Sequence, residues 1–328
     1  MEYPLIFQIE LIYYPVLGAF GIAVNLLAIV ILTRGKCGLS KCITRYLLAM
    51  AGADLTLVII DVILRRINNM YLPINFLFMT PVCTLKGVAY LVSVDCSVWF
   101  TVAFTFDRFV AICCQKLQSK YCSERTATVI IATMFVVSCL RTIPFYYISE
   151  PALIINNMPW YCKPKFQFLN SPFWKAYEWV DSILTPLLPM LLIILLNGLT
   201  VRHITVANRV RRGLQCNSTN KNDAEMKNRR KSMILLFTIS ANFIIMWMTY
   251  VVHSLNWPVV NFNYADIYYS EPVYITQQVG FMLQLLSSCT NTCIYGLTQR
   301  MFREELKNGV KYLLTLNGNI CHQNLVRN

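Results

Sequence analysis

Seven long apolar runs, parted by shorter polar segments, set the pattern of the chain. They lie at about 11–33, 46–64, 84–113, 127–147, 176–201, 232–256 and 273–295. A helix crossing a bilayer needs about 20 mostly apolar residues, and each run predicts one such helix. The third is longer, as a strongly tilted helix would be. After the seventh run, Met301, Phe302, Leu306, Val310 and Leu313 recur at helical spacing, while Arg300, Arg303, Lys307 and Lys311 keep the same period on another face. This predicts an amphipathic helix over about 299–314, lying in the inner interface with its cations near the anionic headgroups of membrane lipid. Residues 315–328 follow as a cytoplasmic tail. The expected fold class is an all-α membrane protein, a seven-transmembrane helix bundle with a short amphipathic eighth helix, in a single domain over 1–328.

Composition agrees with this. Of 328 residues, 56% are hydrophobic and 14% charged, too apolar a mixture for the two soluble domains that length alone would allow. The net charge of +13 raises nucleic acid as a partner until the cations are placed. With the amino terminus outside, Arg34, Lys36, Lys41, Arg45, Lys116, Lys120, Arg125, the basic residues from Arg202 to Lys231 and those after Tyr295 all fall inside. The outer half holds Arg65, Arg66, Lys86, Arg141, Lys163, Lys165 and Lys175. Such asymmetry is the positive-inside signature. It argues against nucleic-acid binding and predicts a multi-pass plasma-membrane protein with a cytoplasmic carboxyl terminus. The first run lacks a basic leader and is long enough to span, so it reads as a retained signal-anchor helix. The sequon Asn217-Ser218-Thr219 falls on the inner side, where it stays unmodified.

Charged groups inside hydrocarbon are expensive and are found mainly where a bundle interior pairs or hydrates them. Asp54 lies in the middle of the second run, Asp107-Arg108-Phe109 closes the third, and Asn291-Thr292-Cys293-Ile294-Tyr295 closes the seventh. An arginine at the inner end of a helix can pair with its carboxylate neighbour at rest and become a docking donor when the bundle opens. These placements, with Phe109-Val110-Ala111-Ile112 after the arginine and its spacing from Cys83, resemble the rhodopsin-like (class A) G-protein-coupled receptors over nearly the whole chain. The stretch Leu196-Asn197-Gly198-Leu199-Thr200 after Pro189, with Ser97-Val98-Trp99, is most similar to the orphan peptide-receptor-like group of G-protein coupled receptors 139 and 142.

The resemblance implies a receptor and not an enzyme. Its partners would be an extracellular ligand such as an aromatic amino acid or short peptide, and a heterotrimeric G protein, the Gq class favoured. It assigns a disulfide to Cys83 and Cys162, the two cysteines on the oxidising side. Coupling and activation fall to Asp107, Arg108, Asn197, Asn291 and Tyr295. Phe243 and Trp247, four apart on one face of the sixth helix, form an aromatic switch with Val98 and Pro189 beside it, and Pro189 is expected to kink the fifth helix. In the family pattern Asn25, Ser97, Ser288 and Asn291 converge on Asp54. Polar oxygens around one carboxylate suit a small hydrated cation, so an allosteric sodium ion is one reading and a protonated, hydrogen-bonded Asp54 the other; no other cofactor is implied. The chain departs from the family at Thr249 and Thr292, which stand where prolines are usual, and at Met134, where a tryptophan is. It also has Asn228-Arg229-Arg230-Lys231 where many receptors carry an acid that holds the arginine. Without that acid–arginine lock, measurable activity in the absence of ligand is expected. Cys321 is open to palmitoylation or to staying a reduced thiol.

Few residues precede the first run, so recognition is expected at the outer helix ends and loops. The candidates there are Asp61 and Arg65, four apart on one helix face; Lys86, Tyr90 and Asp95 on the third helix; Arg141; Glu178 and Asp181; and Tyr250 and His253. Asp61 with Arg65 is the foremost expected ion pair. Both signs of charge together suit a zwitterion or a short peptide. Tyr90 stands where aminergic receptors hold their amine-binding aspartate, which argues against a monoamine. A multi-helix transporter is the alternative, although paired inverted halves and broken midplane helices are not apparent. An intramembrane enzyme lacks its motifs: there is no Gly-x-Ser-x-Gly, no metal-ligand histidine pair and no protease-like aspartate dyad. Only Thr298 and Thr315 are phosphorylatable Ser or Thr after Tyr295, which predicts weak tail-dependent arrestin recruitment.

Overall fold

The computed structural model describes residues 4–35, 37–72, 74–169, 171–213, 222–256 and 272–308. Within them run α1 (Leu5–Thr33), α2 (Lys41–Tyr71), α3 (Thr80–Cys113), α4 (Glu124–Ile148), α5 (Pro172–Arg209), α6 (Asn222–Asn256) and α7 (Pro272–Thr298). A helical stretch at 300–308, α8, follows. Each long helix outruns its apolar segment because its ends leave the hydrocarbon for polar caps. The Ser40 and Ser123 hydroxyls accept from the Ile43 and Thr126 amides to open α2 and α4, the usual N-cap device. Prolines sit in the first turns of α3 and α5, where no intrahelical bond is lost.

Among the described residues, six helices are long and apolar enough to cross a membrane, and α7 is not one of them. Its buried Gln284, Ser287, Ser288, Asn291 and Thr292 lower its hydropathy, and neighbouring helices rather than lipid surround that stripe. Apolar side chains fill two buried layers. The inner layer gathers Leu47, Met50, Phe104, Leu235, Tyr295 and Phe302, and the outer one Tyr14, Leu57, Val98, Phe243, Trp247 and Leu285. Helix α4 is peripheral: Phe135, Val136, Val137 and Leu140 face outward, as suits a lipid-facing helix.

Two irregularities shape the outer half. Helix α2 turns π-helical over Val58–Ile67. Helix α5 breaks at Thr185, whose φ of −147° and ψ of 105° are extended. The kink expected at Pro189 therefore lies four residues upstream. The Pro189 ring excludes the carbonyl of residue 185 from helical bonding, and Pro186 disfavours helical angles at the residue before it. The outer connection after α4 is a hairpin of β1 (Ser149–Ile155) and β2 (Met158–Pro164), antiparallel, with Pro151 opposite Cys162. Asn156 and Asn157 turn it at positive φ of 51° and 59°, the tight-hairpin conformation that asparagine tolerates. A short helix, Gln115–Tyr121, lies between α3 and α4 on the inner side. The sequon at Asn217, the outer loop 257–271, positions 309–314, the tail, Thr315 and Cys321 lie outside the described residues.

Candidate functional site

The bundle brings the candidate residues into five groups at successive depths. Outermost, Cys83 at the start of α3 is disulfide-bonded to Cys162 on β2. Thr80 donates to the Tyr161 carbonyl (2.7 Å) beside it, so the hairpin is tied to the outer end of α3.

The next group is electrostatic and has two lobes. On the α2 side, Asp61 receives Arg65 Nη1 (2.7 Å) and Arg66 Nε (3.1 Å). An α-helix would offer only the fourth residue on, but the wider π-turn lets the fourth and fifth flank the carboxylate. The expected Asp61–Arg65 pair is present, and Arg66 is a partner that helical spacing could not reveal. Arg66 also donates to the Tyr14 hydroxyl (2.6 Å) and Gln278 Oε1 (3.2 Å), and its guanidinium lies over the Phe281 ring. Arg65 covers the Tyr90 ring, 4.3 Å from its centroid. Lys86 Nζ donates to the Leu64 carbonyl at 3.1 Å. Buried Glu10 lies within the field of Arg66. Among the described residues, three cations in this lobe face two carboxylates.

On the opposite side Arg141 of α4 joins three helices. It donates Nε to Asp95 of α3 (3.0 Å), Nη1 to Asp181 of α5 (2.8 Å) and Nη2 to Thr185 Oγ1 (3.1 Å). A second, shorter bond joins Arg141 to Asp95. Thr185 in turn donates to the other Asp95 oxygen at 2.8 Å. The extended backbone at Thr185 places that hydroxyl in the cluster. Glu178 accepts from Trp174 Nε1 (2.9 Å) and lies in the field of Asp181. Here three carboxylates face the single Arg141 guanidinium among the described residues. Tyr250 lies within electrostatic reach of Asp61 and of Asp95 and Asp181, hence between the lobes. His253, one turn further out, is buried.

Below them the aromatic rings form a column. Phe281 packs on Tyr250 (5.6 Å), Tyr250 edge-on to Trp247 (5.7 Å), and Trp247 stacks on Phe243 (5.1 Å). Val98 and Met190 join the same apolar cluster, and buried Pro189 precedes Met190. Gly280 makes the column's α6–α7 approach possible, because a Cβ there would lie 3.2 Å from the Tyr250 Cα. Gln284, one turn deeper, is fully buried and lies beside the Tyr90 hydroxyl.

Deeper still, fully buried Asp54 accepts from Ser97 Oγ (2.6 Å) and Asn291 Nδ2 (2.9 Å). Asn25 reaches the group indirectly, donating to the Ser288 carbonyl (3.1 Å). At the inner end, Arg108 donates Nε to Asp107 at 2.9 Å, makes a second short bond to it, and reaches Ser232 Oγ on α6 at 3.3 Å. The Cys42 thiol donates to the other Asp107 oxygen (3.0 Å). The absent acid on α6 is thus replaced by a neutral hydroxyl. Asn197 donates to the Ile193 carbonyl of its own helix (2.7 Å), leaving its Oδ1, like the Tyr295 hydroxyl, without a protein partner. Tyr295 packs edge-on against Phe302 of α8, 6.1 Å between centroids.

A family profile described as 7 transmembrane receptor (rhodopsin family) matches residues 24–295. The chain belongs to the rhodopsin family of seven-transmembrane receptors. It is a multi-pass membrane protein of the G-protein-coupled receptor family, and not an enzyme. Among curated relatives it is similar to G-protein coupled receptor 15 of Mus musculus, 23% identical over 298 residues that cover 90% of this chain and 77% of the relative.

Proposed function

We propose that this receptor binds a small zwitterion or short peptide, with its anionic end toward Arg65 and its cationic end toward Asp181 and Glu178. The observation that carries this is the unequal charge of the two lobes. Among the described residues, cations exceed carboxylates beside α2, and carboxylates exceed cations beside α5, with Tyr250 within reach of both. A ligand with opposite charges at its ends relieves both imbalances, whereas a monoamine or a fatty acid relieves only one. Tyr90, Tyr250 and Phe281 favour an aromatic body, and the Gln284 amide lies beneath. These features support an aromatic amino acid or a short peptide containing one. They fit the peptide-receptor-like group of G-protein coupled receptors 139 and 142, with coupling to the Gq class.

The amino terminus is assigned outside, since the basic segments flank one end of the bundle and the disulfide the other. Ligand entry would press on Phe281 and Tyr250 and shift Trp247, to which they are packed. The Arg108–Ser232 contact would then part as α6 moves, freeing the guanidinium for a G protein. A sodium ion near Asp54 would favour the closed bundle. Plasma-membrane residence follows from the same reading. The test is a panel of phenylalanine, its N-acetyl and amide derivatives and a short aromatic peptide, read by G-protein nucleotide exchange. Responses should need both charged ends, with N-acetyl loss rescued by no lobe variant and amide loss mimicked by Arg65→Ala. Equal responses to all four compounds would sink the charge-polarity reading.

A further inference from the structure

We infer that Arg65 and Lys86 together form a subsite for a free carboxylate at the end of the ligand, so that this receptor takes an amino acid or a peptide whose carboxyl terminus is not amidated. The inference rests on the two-ended ligand reading above and narrows its anionic half. It starts from a buried cation that lacks a counter-charge among the described residues. Lys86 is 8% exposed. Its Nζ donates to the Leu64 carbonyl at 3.1 Å and lies over the Phe78 ring, 5.5 Å from the centroid. The charged group within its electrostatic reach is the Arg65 guanidinium, another cation. A charge withdrawn from water needs an opposite partner, and one carbonyl with a ring face supplies only part of one. Arg65 is likewise only partly engaged: Nη1 goes to Asp61 at 2.7 Å, a carboxylate that it shares with Arg66, and its side chain stays 36% exposed.

The π-turn of α2 builds this pair. At its end the Asn68 amide bonds to the Ile63 and Arg65 carbonyls and passes over that of Leu64, the one an α-helix would give it. The Leu64 carbonyl is thereby left for Lys86, and the ammonium is fastened to the residue beside Arg65. π-bulges inside helices recur at functional sites, and here the bulge gathers two cations on one side of the chamber. A guanidinium and an ammonium with N–H donors to spare can each take one oxygen of a carboxylate in charge-assisted bonds. An amidated terminus brings no charge and sets its own N–H groups against two donors. The outer side of the subsite is walled. Phe78 is buried and packs on Tyr161, 5.2 Å between centroids, and the neighbouring Cys162 is bonded to Cys83, one turn before Lys86. A ligand chain cannot continue through that wall, so the carboxylate is its last group.

The test uses the purified full chain in lipid nanodiscs and its thermal unfolding midpoint. The probes are phenylalanine, phenylalaninamide, 3-phenylpropionate and phenethylamine. Phenylalanine and 3-phenylpropionate should raise the wild-type midpoint by ligand linkage. Arg65→Ala and Lys86→Gln should each weaken both compounds about tenfold to a hundredfold, and leave phenethylamine unaffected. Lys86→Gln keeps a donor for the Leu64 carbonyl and removes the charge, so without any probe its midpoint should equal or exceed that of the wild type. A lysine with a structural role alone would lower that midpoint and leave the carboxylate shifts intact, and either result overturns the inference. So does a wild type that no carboxylate shifts, or one that binds phenylalaninamide as well as phenylalanine. If 3-phenylpropionate acts through both cations and phenylalanine does no better, the two-ended reading fails and the carboxylate subsite stands. If phenylalanine needs Arg65 but is indifferent to Lys86→Gln, the reading stands and the subsite falls.

Discussion

Arg141→Met removes the guanidinium that joins α3, α4 and α5, and leaves Asp95 and Asp181 facing each other unneutralised. Asp95 is 2% exposed, so water cannot replace the lost partner; the Asp181 side chain is 26% exposed and can be partly hydrated. Breaking a buried ion pair by removing one partner costs about 3–5 kcal/mol. Thr185 still donates to Asp95, and a retained hydrogen bond is worth about 1 kcal/mol, so a loss near the lower end, about 3 kcal/mol, is expected. The assay is thermal or denaturant unfolding of purified receptor in one detergent. Asp95→Asn in the same chain should recover about half of the loss or more, because the uncompensated charge is then gone. Arg141→Lys should fall between, since it keeps the charge but not the fork. A single Arg141→Met variant within about 0.5 kcal/mol of wild type, or no recovery in the double variant, would refute the three-helix cluster.

Gly21→Ala should destabilise by about 1–3 kcal/mol through overpacking, since its Cβ would lie 2.7 Å from Cys289 Sγ; unfolding of Gly21→Ala with Cys289→Ala should show most of that loss relieved. Raising sodium from near zero to about 150 mM should raise the unfolding midpoint of wild type but not of Asp54→Asn, by ligand linkage; equal shifts in both chains would remove sodium from that site. Burial and the nearby Asp107 charge push the Cys122 thiol up to about 12. Cys122 should therefore alkylate roughly 100-fold more slowly than a free thiol at pH 8. Because the folded value lies above the unfolded one, the thiol's stabilisation is complete below pH 9 and is lost as pH rises toward 12. Cys122→Ser should flatten that part of the stability profile, and an unchanged profile would contradict it.

The helices and the vertical order of the groups were legible because each depends on local pattern. Twenty apolar residues announce a span wherever they occur, and Asp61 with Arg65 announces a pair by helical spacing. Arg66 was not legible as a partner, because reaching Asp61 needs a π-turn that no residue in 58–67 marks. Arg141 was visible as a candidate, but its attachment to Asp95 and Asp181 joins residues 46 and 40 positions apart, which only packing decides. The break at Thr185 could have been placed by reading Pro186 and Pro189 together instead of Pro189 alone. Asn156-Asn157 between two stretches of Ile, Pro and aromatic residues is likewise a local turn signal. Ser232 had no distinguishing local feature beyond the cations before it; its meeting with Arg108 spans 124 positions. The missing acid on α6 is visible in the sequence as a missing charge, but the hydroxyl contact that stands in its place is not.

The most direct measurement is guanine-nucleotide exchange on Gq, Gi and Gs in membranes bearing this protein, with and without phenylalanine or tryptophan, beside Arg108→Ala. The account predicts exchange above mock membranes, raised by the aromatic amino acid on Gq and lost with Arg108→Ala. Exchange that persists in Arg108→Ala, or none in the wild type under any condition while an amino acid accumulates in vesicles, would contradict it and favour a transporter.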